Sequence, residues 1–332
     1  MLSGGLDSAL ACCVLKDQGI EVHAVYIAMP WGCGNETRAK RIAEDLAIPL
    51  KVIPLGDDYL PILTDPKFGF GSAHNPCVDC HIYMVKKAAE HMREIHGAFV
   101  FTGEVVGQRP MSQRRECLGW VERESGLEGR ILRPLSASFL DPTIPENEGV
   151  VDRTRLPSIN GRSRKAQYAL AEKYGLKHFA QPGGGCLLTE KHFGERLGDV
   201  LGRGVSTIAE TAVLGLGRYF RLSEDAFVIL GRDQKENEGI IARALAEDWI
   251  IRPFSFPGPV ALLRARDVSQ EMLAKAAGLC QYFSKSREQA PRPVKAWRGS
   301  SVDQVQDVLP DLAGASGFLV SPGESSNSQK ES

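Results

Sequence analysis

Six residues near the start of the chain, Ser3 to Ser8 with the sequence SGGLDS, constrain its fold more than any other stretch. Two adjacent glycines let the backbone turn sharply and approach a ligand closely. The residues from Ser8 to Gln18 have helical composition, so the unpaired N–H groups and the positive dipole end of a helix face this loop. An anion such as a phosphate is stabilised there. The alternative is that serine and aspartate only cap the helix, without a ligand.

A loop of this kind normally follows a buried strand, yet only Met1 and Leu2 precede Ser3. The central strand of a parallel sheet needs about five apolar residues. We therefore expect the true start to lie upstream and the chain to be a truncated reading. An in-frame apolar segment upstream in the gene would support this expectation.

Strand and helix patterns alternate over the first hundred residues. Glu21–Met29, Leu50–Leu55 and Ala98–Thr102 are apolar and β-branched, whereas Glu36–Leu46 and Cys77–Ile95 have helical periodicity. This order predicts an α/β domain with a parallel sheet and helices on both faces. In such sheets the ligand binds beyond the carboxyl ends of the strands.

The character of the sequence changes after about Ala212, where short paired strands are predicted at Arg218–Leu222 and Ala226–Leu230, and another at Pro259–Arg264. These patterns predict a smaller α+β domain. The expected organisation is an α/β domain over residues 1–190, a helical connector over 191–212, the α+β domain over 213–320 and a disordered tail over 321–332.

Composition narrows the classes of function. The formal net charge of −1 gives no global basic field, so any nucleic-acid surface must come from local clusters of arginine and lysine. No apolar run approaches the roughly 20 residues that span a bilayer, and the glycines and Asp7 interrupt any signal-peptide pattern. We therefore expect a cytoplasmic protein that has no membrane partner.

Three of the eight cysteines have spacings that indicate chemistry. Cys77 and Cys80 lie in NPCVDCH at the start of a predicted helix, and Cys186 follows three glycines in QPGGGC. Three thiolates can hold a 4Fe–4S cluster and leave one iron open to a sulfur atom. A catalytic dithiol and a structural metal site remain as alternatives.

The SGGLDS loop resembles the pyrophosphatase loop (PP loop) of enzymes that adenylate a substrate and release pyrophosphate from ATP. The resemblance implies a PP-loop domain that binds ATP and Mg²⁺, with serines and backbone amides on the phosphates and Asp7 helping to place the metal. In that family the end of the next strand usually holds the adenine. The implied ATP positions are Ser3, Gly4, Gly5, Leu6, Asp7 and Ser8 in the loop, with Tyr26, Thr102 and Gly103 at strand ends.

Further stretches resemble ATP-pyrophosphatase tRNA thiolases over roughly Leu2 to Leu188. NPCVDCH is similar to the NPC-x-x-C motif of tRNA 2-thiouridylases, and Thr102–Gln113 and Ile131–Leu135 look like the matching stretches of tRNA 4-thiouridine synthetases. This resemblance implies an ATP-dependent tRNA uridine sulfurtransferase, supplied by a cysteine desulfurase or by sulfide. In it, Cys77, Cys80 and Cys186 hold a 4Fe–4S cluster, or else one cysteine of the first motif and the distant Cys186 act as persulfide and disulfide partners. The implied catalytic residues are these three cysteines and Asp7.

Two other functions stay open. One is a PP-loop enzyme that adenylates or amidates a small molecule, and the other is a non-catalytic protein that binds ATP and RNA. The stretch Gly217–Asn237 favours RNA, because it resembles the NFACT RNA-binding domain, with Gly231, Arg232, Asp233 and Asn237 at its motif positions.

Basic clusters supply candidate contacts to tRNA. Arg162, Arg164 and Lys165 start a predicted helix, the unfavourable end for cations, which a bound polyanion would offset. A solvated helix face is the alternative. The full set of predicted RNA contacts is Arg109, Arg114, Arg162, Arg164, Lys165, Arg232, Arg292 and Lys295.

Overall fold

The computed structural model describes residues 1–32, 34–179, 185–284, 290–299, 304–310 and 318–319. The chain divides into two compact units, Met1–Thr189 and Glu190–Ser332. Residues 191–212, predicted as a connector, include a helix and a short 3-10 turn and cluster with the second unit. Within the described part of the chain, no helix has the length and apolar character needed to cross a membrane.

The first unit contains two pairs of parallel strands. β1 (Ala24–Ala28) pairs with β2 (Leu50–Pro54), and β3 (Val100–Phe101) pairs with β4 (Ile131–Leu132). Parallel pairing with intervening helices confirms the predicted α/β class. The helices are α1 (Leu6–Lys16), α2 (Glu36–Asp45), α3 (Leu60–Thr64), α4 (Cys77–Glu94), α5 (Arg115–Ser125), α6 (Ile144–Asn147) and α7 (Lys165–Lys173).

Met1 and Leu2 lie between the two strand pairs. The backbone N–H of Leu2 donates to the carbonyl of Val25 on β1 at 2.8 Å, and the Met1 ammonium donates to the carbonyl of Phe101 on β3 at 2.8 Å. The Leu2 side chain is buried in the core that α1 and β1 share. Two residues thus occupy the position where a central strand of about five was expected. The expected upstream segment stays a prediction.

Helix α1 is buried along almost its whole length, which explains its apolar sequence. Its side chains pack into cores on both sides, with Leu15 in one and Leu10 in another. Cys12 and Cys13 are buried, and burial raises the pKa of Cys12 to about 12 and that of Cys13 to about 11. These two thiols are core residues. The helix begins at Leu6 rather than near Ser8, so Asp7 and Ser8 lie in its first turn.

The second unit is built on an antiparallel sheet. Helix α10 (Gln270–Tyr282) packs against one face of this sheet, where its residues Ala276 and Cys280 join Val228 and Leu263 in the core. In the described residues the strand order is β10-β9-β7-β8-β6-β5-β11. The strands are β5 (Arg218–Arg221), β6 (Ala226–Leu230), β7 (Trp249–Pro253), β8 (Ala261–Ala265), β9 (Arg292–Arg298), β10 (Gln304–Val308) and β11 (Phe318–Leu319), and the helices are α8 (Lys191–Leu201), α9 (Gln234–Ile241) and α10 (Gln270–Tyr282).

Candidate active site

A cavity of about 850 Å³ opens where β1 and β3 end, with Met29 and Thr102 in its wall. The position agrees with the general rule for parallel sheets. The wall brings together most of the residues predicted from sequence: Ser3, Gly5, Leu6, Asp7, Ser8, Tyr26, Cys77, Cys80, Thr102, Gly103, Arg109, Arg114, Arg164 and Cys186.

The SGGLDS loop is held by hydrogen bonds within itself. Ser8 Oγ accepts from the backbone N–H of Ser3 at 3.2 Å and donates to the carbonyl of Gly5 at 2.9 Å. Gly5 is the N-cap of α1, and no side chain caps the helix there. The alternative that serine and aspartate only cap this helix is therefore not what the structure shows. Leu6, Asp7 and Ser8 in the first turn line the cavity, where an anion would stabilise their unpaired N–H groups.

Two glycines allow the loop to sit close to neighbouring backbone. Gly4 has a φ of +80°, and a Cβ there would lie 2.9 Å from the carbonyl oxygen of Asn35. A Cβ on Gly103, just after β3, would lie 2.4 Å from the Ser8 nitrogen and 2.5 Å from the Asp7 carbonyl carbon. Neither position has room for a side chain, so glycine is required by close packing of backbone on backbone.

One carboxylate oxygen of Asp7 accepts a hydrogen bond, whereas the other has no partner among the described residues. Oδ2 accepts from Gln108 Nε2 at 2.8 Å, and Gln108 Oε1 accepts from Nε2 of the fully buried Gln167 at 3.2 Å. Arg164 lies 4.0 Å from the same Oδ2. Oδ1 is buried and has no hydrogen-bond partner in the described residues. Hard cations such as Mg²⁺ prefer carboxylate oxygen, so Asp7 Oδ1 fits a magnesium ligand.

The three predicted cysteines line the cavity, two of them from the start of α4 and Cys186 from a distant segment of the chain. Cys77 Sγ accepts from Asn75 Nδ2 at 3.2 Å, and Cys186 Sγ donates to the carbonyl of Trp31 at 3.6 Å. Cys80 lies in the first turn of α4. All three are free thiols.

The predicted 4Fe–4S site is not confirmed. No three cysteine, histidine, aspartate or glutamate side chains of the described residues lie close enough together to hold a metal ion. In this arrangement the thiols of Cys77, Cys80 and Cys186 therefore do not fit a cluster.

A charged network in the wall of the cavity, with His81, Thr102 and Glu104 among the lining residues, was not predicted from sequence. His81 Nδ1 lies 2.7 Å from Glu104 Oε1, and Glu104 Oε2 accepts from Arg133 Nε at 3.2 Å and from Thr102 Oγ1 at 2.9 Å. Burial raises the pKa of Glu104, but His81 and Arg133 outweigh burial and bring it to about 2. Arg133 also pairs with Glu122. Glu104 and Arg133 both lie in the stretches that resemble the thiolases. That resemblance was the sequence signal from which the two residues could have been identified.

The predicted RNA contacts of the first unit fall into two groups. Arg109, Arg114 and Arg164 line the cavity, together with Arg38, which sequence reasoning did not single out. Helix α7 begins at Lys165, so the basic cluster does lie at a helix start, and Arg162 and Lys165 are exposed to solvent there.

In the second unit, the motif residues of the stretch Gly217–Asn237 make structural contacts with each other and with nearby backbone. Asp233 caps α9 by accepting from the Glu236 N–H at 2.9 Å, and Asn237 Oδ1 accepts from the Val260 N–H at 2.9 Å. A Cβ on Gly231 would lie 2.1 Å from that Asn237 oxygen. Arg232 donates from Nε to Glu236 Oε1 at 3.0 Å. These residues stabilise the turn between β6 and α9, whereas a role of Arg232 on RNA stays a prediction.

The other two predicted contacts of this unit lie over aromatic rings. The Arg292 guanidinium lies 4.1 Å from the centre of the Phe256 ring, and Lys295 Nζ lies 5.9 Å from that of Trp297. Arg252 on the neighbouring strand is also over Trp297, at 5.7 Å. Three cations of this unit therefore lie over aromatic rings, whereas a contact of Arg292 and Lys295 with RNA stays a prediction.

Comparisons with known families agree with the two units. Residues 1–116 match the tRNA methyl transferase HUP domain, and residues 217–310 match the NFACT protein RNA binding domain. A solved structure, the C-terminal part of the fibronectin/fibrinogen-binding protein from Streptococcus suis, is 14% identical and covers 72% of this chain and 92% of its own, but with a TM-score of 0.28. That score supports no inference about the fold.

The similar curated proteins are tRNA-specific 2-thiouridylases. The enzyme of Syntrophotalea carbinolica is 35% identical over 91 residues, which are 24% of this chain and 26% of the relative. The second such enzyme of Clostridium botulinum is 31% identical over 114 residues, 31% of this chain and 32% of the relative. The first such enzyme of Syntrophus aciditrophicus is 24% identical over 75% of this chain and 74% of its own. The alignments of highest identity thus span only a quarter to a third of the relatives.

These matches confirm the resemblances seen in SGGLDS, in NPCVDCH and in the stretch Gly217–Asn237. In the first unit, the loop and the cysteines that share its cavity are the structural counterparts of that resemblance. The chain therefore combines a PP-loop HUP domain similar to that of the tRNA 2-thiouridylases with an NFACT RNA-binding domain.

Proposed function

We propose that this protein is an ATP-dependent tRNA uridine sulfurtransferase. The observation that carries the proposal is that one cavity is lined both by a phosphate-binding loop and by three free thiols. Activation of a carbonyl by ATP and delivery of sulfur can then take place on the same base. The similarity to tRNA 2-thiouridylases supports tRNA as the substrate, and the NFACT domain supports a second contact with RNA.

In the first step the carbonyl oxygen of the uridine attacks the α-phosphorus of ATP, and the bond to pyrophosphate breaks. The first-turn N–H groups of α1 and the hydroxyls of Ser3 and Ser8 bind the phosphates, while Arg38 and Arg164 neutralise the charge that develops on the leaving pyrophosphate. Magnesium, held through Asp7 Oδ1, would supply further stabilisation of that charge. The target base must leave its stack to reach the loop.

In the second step a sulfur atom replaces the activated oxygen. We assign the persulfide to Cys186: its outer sulfur attacks the activated carbon, and AMP leaves with the former carbonyl oxygen. The Cys80 thiolate then attacks the inner sulfur of Cys186, so the S–S bond to the transferred sulfur breaks and a Cys80–Cys186 disulfide forms. Two routes then reload the site: sulfide attacks the disulfide at Cys186, which gives the Cys186 persulfide and a free Cys80 thiol; or a thiol reductant restores both free thiols and the persulfide of a cysteine desulfurase transfers its outer, sulfane sulfur to Cys186. The N-terminal turn of α4 favours the Cys80 thiolate.

The cluster alternative has a direct test. If the three cysteines hold a 4Fe–4S cluster instead, they must move together from the arrangement described above. Protein purified without oxygen would then carry iron and acid-labile sulfide, and loss of both would abolish activity. An active protein without iron would exclude the cluster.

The function as a whole is tested by measuring the thionucleosides of bulk tRNA in a strain that lacks the gene. We expect one thiouridine to be lost and to return when the gene is restored. An unchanged thionucleoside profile would contradict the proposal. It would favour either an enzyme that adenylates a small molecule or a protein that binds ATP and RNA without catalysis.

Substituting two of the cysteines, one at a time, distinguishes the persulfide mechanism from a mechanism that uses the cluster. Cys186→Ser is expected to abolish thiolation, because the serine cannot carry a persulfide, yet to leave ATP binding intact, since Cys186 is not among the loop residues. Cys77→Ser is expected to keep part of the activity, because the persulfide route uses only Cys80 and Cys186. Complete loss of thiolation in Cys77→Ser, with normal ATP binding, would contradict this assignment and favour three-thiol ligation.

A further inference from the structure

Tyr59 is a buried tyrosine whose hydroxyl neighbours the Cys80 thiol of the site. It ends a short 3-10 turn, Asp57–Tyr59, and is 0% exposed. Its ring packs edge-on against Tyr83, with 5.0 Å between ring centres and 82° between the ring planes. The hydroxyl lies next to the Cys80 thiol, with Cys186 and Cys77 also nearby. Among the described residues, the Cys80 thiol is the only neighbour placed to interact with this hydroxyl, and no stronger acceptor reaches it.

The neutral Cys80 thiol is only a weak acceptor, and burying a hydroxyl without a stronger partner is unfavourable, by about 1–3 kcal/mol. Phenylalanine would fill the same space and avoid that cost. The hydroxyl can act only as a donor here, because burial and the neighbouring thiols raise the pKa of Tyr59 well above its ordinary value. Its natural acceptor is an anion that forms during the reaction, and the adjacent sulfur atoms are the groups that become anionic in sulfur transfer.

We propose that Tyr59 is a positioning residue that donates a hydrogen bond to the Cys80 thiolate from the buried side of the site. Tyr59 does not line the cavity, whereas Cys80 does, so the tyrosine supports the sulfur from behind and leaves the cavity side open to Cys186 and the substrate. A hydrogen bond to a charged acceptor is roughly twice as strong as a neutral one. The role of Cys80 as attacking thiolate rests on the proposed function, but the hydrogen bond itself does not.

Tyr83 offers a matched control within the same ring pair. Its hydroxyl donates to Asp58 Oδ1 at 2.7 Å and accepts from the Gly56 N–H at 3.3 Å, so it serves the loop after β2 and not a sulfur atom. Tyr59→Phe and Tyr83→Phe each remove one hydroxyl and keep both rings. A purely structural role of the ring pair would affect both variants alike.

The test is the rate at which iodoacetamide alkylates Cys80 in the free full-length protein at about pH 7, followed on the Cys80 peptide by mass spectrometry. We expect Tyr59→Phe to slow alkylation about tenfold or more, because a hydrogen bond to a charged group contributes about 1.5–3 kcal/mol and 1.4 kcal/mol is a factor of ten. Tyr83→Phe should stay within about twofold of the unchanged protein. Both variants are first compared by thermal unfolding, and their urea-unfolded forms should be alkylated at one rate.

An unchanged or faster rate in Tyr59→Phe, or equal slowing in both variants, would overturn the proposal. The measurement uses neither ATP nor tRNA, so it is independent of thiolation. If the deletion strain loses no thiouridine but Tyr59→Phe still slows alkylation, the proposed function fails and the hydrogen bond stands. If thiouridine is lost and alkylation is unchanged, the function stands and Tyr59 has no such role.

Discussion

Gly103→Ala is expected to abolish ATP binding by the first domain. The new Cβ would lie 2.4 Å from the Ser8 nitrogen and 2.6 Å from the Asp7 carbonyl oxygen, and both are backbone atoms that cannot move aside alone. The first turn of α1 must therefore shift, and with it the N–H groups and the Asp7 carboxylate that we assign to the phosphates and magnesium. A misplacement of about 1 Å in a binding site can cost a factor of about 100. Equilibrium binding of a fluorescent ATP analogue measures the loss directly.

Gly119→Ala is the matched control for this change. Gly119 lies inside α5, where a Cβ would meet only the tip of the flexible Arg123 side chain at 3.5 Å. Alanine in a helix interior is about 1 kcal/mol more favourable than glycine, so this variant should bind ATP normally and unfold at a slightly higher temperature. Tight ATP binding by Gly103→Ala would show that the loop after β3 moves freely, and that the SGGLDS loop is not held against it.

Much of the first domain could be predicted because its signals are local. The SGGLDS loop, β2 and α4 follow from turn residues, β-branched runs and helical periodicity within short windows. Helix α5 was missed, since its sequence RECLGWVERES includes a glycine and a tryptophan and is stabilised by packing of Cys117 and Val121 in a core shared with α4. Helix α10 was also missed, although Ser269 caps it by accepting from the Met272 N–H, a signal that the sequence does carry.

The site shows the same division between local and tertiary signals. That Cys77, Cys80 and Cys186 share a cavity with the loop follows from motif resemblance, but the way the distant Cys186 approaches the start of α4 requires the fold. The pairing of Glu104 with Arg133 depends on the parallel register of β3 and β4, in which Phe101 lies opposite Leu132. That register sets Glu104 and Arg133 side by side just after their strands, and no local pattern in the sequence specifies it.

Arg133→Met is expected to lower the free energy of unfolding by about 3–5 kcal/mol, because it leaves the Glu104 carboxylate buried without its arginine partner. Arg133 is 2% exposed and Glu104 is 6% exposed, so water cannot replace the lost contacts. The arginine also donates to the carbonyl of Leu118 at 3.2 Å, which ties α5 to the strand ends. Urea unfolding at about pH 7 gives the loss of stability, out of a total of roughly 5–15 kcal/mol for a protein domain.

The pH dependence of that loss identifies Glu104 as its cause. The pKa of Glu104 is about 2 in the folded protein against an ordinary value of 4.5, so its ionised form contributes about 3 kcal/mol above pH 4.5. As the pH falls from 4.5 towards 2, the unfolded chain binds the proton first and this contribution is lost. The difference between the unchanged protein and Arg133→Met should therefore be largest near neutral pH and shrink in acid. Arg130→Met, at an exposed arginine that donates to the Ala98 carbonyl, should cost at most about 1 kcal/mol at either pH. If the loss of unfolding free energy in Arg133→Met instead stays constant down to about pH 3, Arg133 stabilises this core through its packing and not through its charge.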